Sequence, residues 1–441
     1  MLSNYLAAAL RNLSRNGLYA GITIAGLAVG FAAALLIGLY VRDEFSYDRF
    51  IPGRDRVFLV SETISLNASK PIETQSTPPM LAKRLPLAFP EIQYVARLSP
   101  PGFPANLRRG DFTSSEQNFF WADPDFFKVL PLLAVAGDLT HALDGSDSVV
   151  LTRAIAHKYF GRDAPLGEVI QINGQPFRVT AVVEDLPSNT HLTAEIFASA
   201  RAPSGQILKY EAVDGPLENT LGTYIRLRPG AKIDAMLPRT AAFLEQQMPI
   251  PNLADLHAVK RAMHFVPLTK IHLTPSTQGS GKPSADPAVL GAIGLVAVLI
   301  VSVAAINFVT LMTARAARRA VEVGVRKASG ASRRDLVLQF MGEAFLYVLT
   351  AGVIALSLAE LLLPAVGMLL KRKLTLDYLH DPGLVLTVLV TMLVTAVLAG
   401  AYPAFVLSSF KPSAVLKGGP VQGAGGGAIR QALVVGQFAV L

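Results

Sequence analysis

The sequence predicts an α-helical membrane protein with four spans and a mixed α+β extracytoplasmic domain inserted between spans 1 and 2. Hydrophobic residues make up 51% of the 441 residues, and the mean hydropathy is +0.42. Four apolar runs are long enough to cross a hydrocarbon core, which needs roughly 20 residues. Between the first and second runs, Pro, Gly and charged residues rise to the levels of a soluble domain. The length also favours at least two structural units.

The four predicted spans cover residues 19–41, 289–312, 345–370 and 384–407. The first is uninterrupted by charge and is longer than the apolar region of a signal peptide, so we interpret it as an uncleaved anchor. It contains glycines at the small-xxx-small spacing that lets membrane helices approach closely, although glycine is also common in such helices without this role. These helix-packing candidates are Gly17, Gly21, Gly26 and Gly30.

Residues 1–18 place apolar side chains on one helical face, with Arg11 and Arg15 near the end. This pattern predicts a helix on the cytoplasmic membrane surface. A frayed tail is the alternative, because short isolated helices are marginal in water.

Residues 42–287 are predicted to form the extracytoplasmic domain. Its clearest element is a β-hairpin in which residues 169–172 and 177–183 flank the turn pair Asn173 and Gly174. A strand over 148–151 and a helix over 153–160 are predicted before the hairpin. The domain should therefore mix helices with strands.

Candidate chemical sites in this domain are weak. The polar group Asp185, Pro187, Asn189 and His191 is more typical of a capped loop than of a metal site. Three further histidines lack ligand spacing: His257, His264 and His272. Residues 279–284, GSGKPS, resemble a phosphate loop but lack its first glycine and its Ser or Thr, so we interpret them as a flexible linker. We predict no catalytic residue, no metal and no cofactor.

The loop over residues 313–343 is the most basic short loop of the chain. Because Lys and Arg in short loops beside spans stay in the cytoplasm, we predict that this loop is cytoplasmic. Its first half has helical spacing, Gly330 ends that helix, and Ser332 with Asp335 can cap the next helix. A solvated basic loop without further function is the alternative. The basic residues are Arg315, Arg318, Arg319, Arg326, Lys327, Arg333 and Arg334.

The net charge of +8 is gathered largely beside the spans, and no nucleic-acid motif accompanies it, so topology explains it better than nucleic acid does. With no cysteine, the chain can form neither disulfides nor thiolate metal sites. Glu360 is the deepest ionisable residue of the third span, which makes it a functional hypothesis. We favour the alternative that it reaches the headgroups or the basic residues 371–373.

Four stretches resemble one family. Residues 307–344, NFVTLMTARAARRAVEVGVRKASGASRRDLVLQFMGEA, resemble the cytoplasmic loop of MacB/FtsX-type ABC transporter permeases, although Thr310 and Ser329 depart from its pattern. Residues 148–192 and FFWADPDFFKVLPL around Trp121 resemble the periplasmic core domain of that family. Residues 401–419, AYPAFVLSSFKPSAVLKGG, resemble its exit to the cytoplasm.

The resemblance implies that the basic loop carries a coupling helix that docks on an ABC ATPase. By position, the coupling residues would be Arg319, Glu322, Val323, Gly324, Val325, Arg326, Lys327, Gly330 and Ala331. The chain itself would be non-catalytic, and ATP hydrolysis would occur in the separate ATPase.

The implied function is that of a mechanotransmission permease subunit in the bacterial inner membrane. It would couple ATP hydrolysis to movement of the periplasmic domain, for export or extraction of lipoprotein, peptide or drug-like substrates. The alternative is a regulator or sensor that controls a cell-wall hydrolase or an antimicrobial-peptide response without net transport. Expected partners are the ATPase, a second permease half or homodimer partner, membrane lipids, and a periplasmic or outer-membrane protein, but no nucleic acid.

The end of the sequence suggests a repeat. Residues 408–428 are predicted to be a cytoplasmic linker, and residues 429–441 begin a further apolar segment. By resemblance to the large duplicated permeases, we expect this chain to be the first half of a longer one. A complete protein whose tail lies on the membrane is the alternative.

The orientation can be tested by proteolysis of spheroplasts. Protease added outside should cut within residues 42–287 and leave residues 315–334 intact, because the basic loop is expected inside. Fragments are identified by mass spectrometry, with permeabilised cells as the control in which both regions are cut. Cleavage of the basic loop in intact spheroplasts would reverse the topology.

Overall fold

The computed structural model describes residues 17–66, 70–100, 102–213, 215, 217–250, 259–276, 281–318, 320–379, 381–409 and 435. The chain divides into two compact units, one of residues 43–287 and one of residues 1–42 with 288–441. Most of the predicted surface helix, residues 1–18, lies outside the described residues. So do almost all of the predicted linker, 408–428, and apolar segment, 429–441.

Ten α-helices occur in the described residues. They are α1 Gly17–Phe45, α2 Leu81–Ala88, α3 Phe126–Val129, α4 Arg153–Phe160, α5 Gln206–Val213, α6 Thr240–Gln247, α7 Pro287–Arg318, α8 Ala320–Ala328, α9 Arg333–Leu370 and α10 Pro382–Ser409.

Thirteen strands accompany these helices in the same part of the chain. They are β1 Val57–Leu66, β2 Ile72–Thr74, β3 Ile92–Ser99, β4 Ala105–Arg109, β5 Phe112–Glu116, β6 Phe119–Ala122, β7 Ala134–Ala136, β8 Ser148–Thr152, β9 Val169–Ile172, β10 Gln175–Val183, β11 Ile196–Ser199, β12 Gly222–Leu227 and β13 Val259–Pro267.

Four helices are long and apolar enough to cross a membrane: α1, α7, α9 and α10. With the mixed domain between α1 and α7, they confirm the predicted fold class. Helix α9 differs most from its predicted span, since it begins at Arg333 rather than near residue 345. Its 38 residues extend about 57 Å at 1.5 Å per residue. This exceeds a hydrocarbon core of about 30 Å, so α9 continues well beyond the bilayer.

Small residues let α1 and α7 approach closely. A Cβ atom at Gly30 would lie 2.7 Å from the Cβ atom of Ala304, so only glycine permits this contact. Gly26 also faces α7, and a Cβ there would lie 3.7 Å from Asn307 Nδ2. Gly17 and Gly21 have no such neighbour within 4 Å. Two of the four candidate glycines thus lie at this helix contact, and two do not.

Glu360 has a partner in the loop that follows α9. The Tyr378 hydroxyl donates a hydrogen bond to the Glu360 carboxylate, and burial together with this carboxylate raises the pKa of Tyr378. The side chain therefore reaches the connecting loop through a tyrosine that the sequence interpretation did not name, while contact with headgroups or with residues 371–373 stays a prediction.

The outer unit is built on one mixed sheet with the strand order β13-β1-β12-β3-β6-β11-β8-β10-β9-β4-β5, while β2 pairs with β1 and β7 with β10. The predicted hairpin is confirmed: β9 and β10 pair antiparallel around Asn173 and Gly174, both at positive φ. The strand and helix before it are confirmed as β8 and α4.

The two halves of this sheet meet at a narrow junction. Strands β3 and β6 pair through Leu98 with Ala122 and through Ser99 with Trp121. One buried cluster spans both halves, and it includes Leu98 and Phe197. Two further clusters lie separately, one around Trp121 and one around Phe89. The described part of the outer unit therefore has one shared core and two further cores on a single sheet.

The structure of residues 281–285 shows that one prediction was wrong. We expected residues 279–284 to be a flexible linker, but Lys282 N donates to His191 O at 3.0 Å and Ala285 N to His272 O at 2.7 Å. A Cβ atom at Gly281 would lie 2.8 Å from His191 O. This segment is held against the outer unit by hydrogen bonds that its composition did not reveal.

The α1–α7 contact can be tested by paired glycine substitutions. Gly30→Leu should destabilise the protein by about 1–3 kcal/mol, because the added side chain overpacks the contact with Ala304. Gly21→Leu is the control on the same helix, where a side chain meets open space. Thermal stability in detergent is measured by size-exclusion chromatography after heating. Equal losses for the two variants would contradict the close contact.

Candidate functional site

The predicted coupling loop forms a helical hairpin. Helix α8 and the first turns of α9 are joined by a turn in which Gly330 has φ +98°. The predicted cap is confirmed, because Ser332 Oγ accepts from Asp335 N and the Asp335 carboxylate accepts from Ser332 N. Val323 of α8 is buried against Leu336 and Phe340 of α9. The hairpin therefore has its own small apolar core.

A chain of polar contacts also connects the two arms. Arg326 Nη1 donates to Gln339 Oε1 at 2.5 Å, and Gln339 Nε2 donates to Glu343 Oε1 at 3.3 Å. Both Gln339 and Glu343 are buried. Arg326 thus connects α8 to α9, which is one of the four helices long and apolar enough to cross a membrane.

The nine predicted coupling residues have different environments. Val323 is buried, Val325 is 50% exposed, and Gly330 is exposed at the turn. Arg326, Lys327 and Ala331 are half-buried. Glu322 and Gly324 lie in α8, but their side-chain surroundings are outside the described part, as is Arg319 entirely. Val325 and Gly330 therefore provide exposed surface on this hairpin.

A second candidate site is a buried polar cluster within the outer unit. Asp48 is fully buried and accepts from Thr190 Oγ1 at 2.5 Å and from His191 N at 3.2 Å. Its Oδ2 lies 2.8 Å from His191 Nδ1, and His191 Nε2 lies 2.9 Å from the Tyr224 hydroxyl. Burial and the charge of Asp48 raise the pKa of Tyr224, so its phenol stays protonated. Asp48 is therefore compensated by several donors.

The same region contains a second acid–histidine pair. Glu44, in the last turn of α1, hydrogen-bonds His272 Nε2, and both residues are buried. The His272 ring stacks on Tyr47 with centroids 3.5 Å apart. We define the acid–histidine cluster as Glu44, Asp48, His191, Tyr224 and His272.

One loop of the outer unit holds both membrane-proximal segments. After α1, Asp48 N donates to Asn189 O and Asn189 Nδ2 donates to Ser46 Oγ. Before α7, Lys282 Nζ donates to Ser188 O at 2.7 Å. Residues 188–191 thus join the segment that leaves the first span to the segment that leads to the second.

The acid–histidine cluster was not predicted from the sequence. The sequence analysis interpreted Asn189 and His191 as part of a capped loop, and His272 as a histidine without ligand spacing. The partners of these histidines, Asp48 and Glu44, lie 143 and 228 positions away along the chain, so no local spacing could pair them. Asp185 is a cap, as expected, since it accepts from Ala154 N at the start of α4.

A charged cavity of about 510 Å³ lies beside the β3–β6 junction. Arg97 of β3 donates through Nε to Asp123 at 2.7 Å and through Nη1 to Glu211 at 2.5 Å, and Lys83 also contacts Glu211 at 2.8 Å. Burial opposes ionisation of Glu211, but hydrogen bonds from Lys83 and Arg97 lower its pKa. The network connects the two halves of the sheet. No metal-binding group of three or more ligands occurs in the described residues.

Comparison with known proteins gives two family matches. Residues 20–242 match the model of the MacB-like periplasmic core domain, and residues 294–412 match that of the FtsX-like permease C-terminal domain. The first covers half of the chain and includes both the acid–histidine cluster and the charged cavity, except His272. The second covers the helical hairpin.

Individual relatives are distant. The macrolide export ATP-binding/permease protein MacB of Bdellovibrio bacteriovorus is 24% identical over 61% of this chain and 38% of that protein. The pyoverdine export ATP-binding/permease protein PvdT of Pseudomonas putida is 23% identical over 80% of this chain and 51% of that protein. The chain thus spans about half or less of the length of these relatives.

Among solved structures, a domain of a putative permease from Porphyromonas gingivalis has a TM-score of 0.42 at 17% identity, covering 55% of this chain and 98% of that one. The periplasmic region of MacB from Actinobacillus actinomycetemcomitans has a TM-score of 0.34 at 16% identity, covering 47% and 88%.

The buried acid–histidine cluster can be tested by comparing two histidines. His191→Gln should destabilise the outer unit by about 1–3 kcal/mol, because it removes the ring hydrogen bond to the buried Asp48. His141 also pairs with an aspartate, Asp144, but is 67% exposed, so His141→Gln should change stability by less than about 1 kcal/mol. Unfolding is followed by fluorescence of the one tryptophan, Trp121, in the domain core. Similar stabilities of the two variants would contradict the importance of the cluster.

Proposed function

Because the chain belongs to the MacB/FtsX family of ABC transporter permeases, we propose that it couples ATP hydrolysis by a partner ATPase to movement of its outer domain. The observation that carries this proposal is the helical hairpin, whose exposed turn adjoins a helix long enough to continue through the membrane. The chain would act as the non-catalytic membrane subunit in a bacterial inner membrane. A second permease half or a second copy would complete the transporter.

The hairpin supports the first step of this mechanism. Val323 and the Arg326–Gln339–Glu343 contacts join α8 to α9, so a force applied to the exposed side of α8 would move both helices together. A closely packed contact transmits displacement because protein interiors have low compressibility. The ATPase would bind the surface around Glu322, Gly324 and Val325.

The acid–histidine cluster supports the second step. Since residues 188–191 contact both Asp48 and Lys282, the segments at the ends of α1 and α7 would move as one with the loop of the outer domain. A buried and hydrogen-bonded charge resists separation, because exposing one partner alone leaves the other uncompensated. These contacts would keep the two ends of the outer domain together while the spans move.

The names of the relatives favour export over regulation alone. Three of these relatives are named for the export of macrolides, pyoverdine and syringafactin, respectively. For this chain we propose export or extraction of peptide, lipid-modified or drug-like substrates outside the inner membrane. A periplasmic or outer-membrane protein would receive the substrate.

The docking role can be tested by co-purification from mild detergent. Glu322→Arg, Gly324→Phe and Val325→Asp should each reduce recovery of an ABC ATPase at least about tenfold, the effect of losing roughly 1.4 kcal/mol of binding. Leu379→Asp is the control, since Leu379 is 88% exposed but lies in the loop at the opposite end of α9. Bound proteins are identified by mass spectrometry. Unchanged ATPase recovery with all three hairpin variants would contradict the proposed docking surface.

A further inference from the structure

We propose that a cavity between the four membrane helices binds an acyl chain of an anionic phospholipid, whose headgroup is held by Arg42. The lipid would be a resident partner rather than transported cargo, so this inference goes beyond the proposed function. It rests on the size of the cavity, on the chemistry of its wall and on the charge at one end.

The cavity has a volume of about 870 Å³ and is lined by α1, α7, α9 and α10. Ligand sites typically measure about 300–1,000 Å³. A transmembrane helix about 30 Å long and about 10 Å across takes up about 2,400 Å³, so the cavity does not enclose a whole helix of a second copy. Apolar side chains on all four helices line it, among them Leu35, Leu39, Val301, Leu356, Val388 and Leu398.

The hydroxyl groups in the wall are already used by the helices themselves. Ser302 and three threonines of α10 each donate to the carbonyl oxygen four residues earlier, at 2.8 Å. Such local bonds satisfy the hydroxyl hydrogen within its own helix. The threonines are Thr387, Thr391 and Thr395. The wall therefore offers little to a polar ligand and suits a hydrocarbon chain.

Arg42 is the charged residue among those that line this cavity. It pairs through Nη1 with Asp381, yet 53% of its side-chain surface is exposed. A guanidinium has five N–H donors and can bind a phosphate bidentately, so Arg42 can accept a second anion beside Asp381. Lys371 and Lys373, both exposed, lie in the same loop as Asp381 and add positive charge. An apolar channel with a cationic end matches an anionic lipid.

The test uses tryptophan fluorescence in vesicles with brominated lipids, which quench a nearby indole. Leu35→Trp places the reporter in the cavity wall, and Leu386→Trp places it on α10 at a 62% exposed position outside the lining. The signal of natural Trp121 is subtracted with the parent protein. At a low mole fraction of brominated phosphatidylglycerol in phosphatidylcholine, we expect stronger quenching of the Leu35→Trp reporter than of the Leu386→Trp reporter.

Four further measurements test the site and the headgroup. Gly38 lines the cavity with no atom within 4 Å of a Cβ there, so Gly38→Phe should fill the space and abolish the excess quenching. Gly21→Phe, at an open position of the same helix outside the lining, should preserve it. Arg42→Gln should also abolish the excess, as should replacing the quencher by brominated phosphatidylcholine.

Equal quenching of both reporters in the parent protein would mean ordinary lipid contact and would overturn the proposal. Quenching of the cavity reporter by neither lipid would mean that protein fills the space, which also overturns it. Neither outcome bears on ATPase recovery, so the coupling proposal is tested separately.

Discussion

Asp48 carries a charge at a position without solvent access, and the region between the first and second spans depends on how that charge is compensated. Moving a carboxylate out of water costs several kcal/mol, which a single neutral contact does not offset. Thr190, the His191 backbone and the His191 ring all face it. Because these donors belong to one loop, the charge fixes where that loop lies relative to the end of α1.

The membrane unit follows a different constraint, since hydrocarbon provides no partner for polar groups. Backbone groups pair within each helix, and Ser and Thr hydroxyls return to their own helices. Close approach of two helices then depends on small residues, such as Gly30 facing Ala304 and Gly400 facing Ala344. Helix α9 leaves this environment at its start, where Arg326, Gln339 and Glu343 replace apolar contacts.

Much of this architecture could be predicted because its signals are local. Apolar runs identify spans, Asn173 and Gly174 identify a turn, and Ser332 with Asp335 identifies a cap, all within a few residues. The acid–histidine cluster could not be predicted this way, since burial of Asp48 and Glu44 follows from distant strands and loops. The same holds for residues 281–285, whose polar composition indicated flexibility while their backbone groups bind His191 and His272.

The outer unit interrupts the chain between α1 and α7, and both of its ends are held by hydrogen bonds. Its first residues, near Asp48, and its last, near Ala285, are bonded to neighbouring parts of the same unit, at His191 and His272. A domain whose two ends lie at one face can interrupt a chain without forcing the flanking helices apart. Because both ends of the outer unit are bonded within the unit itself, a domain of different binding chemistry could be inserted at the same two points of the chain.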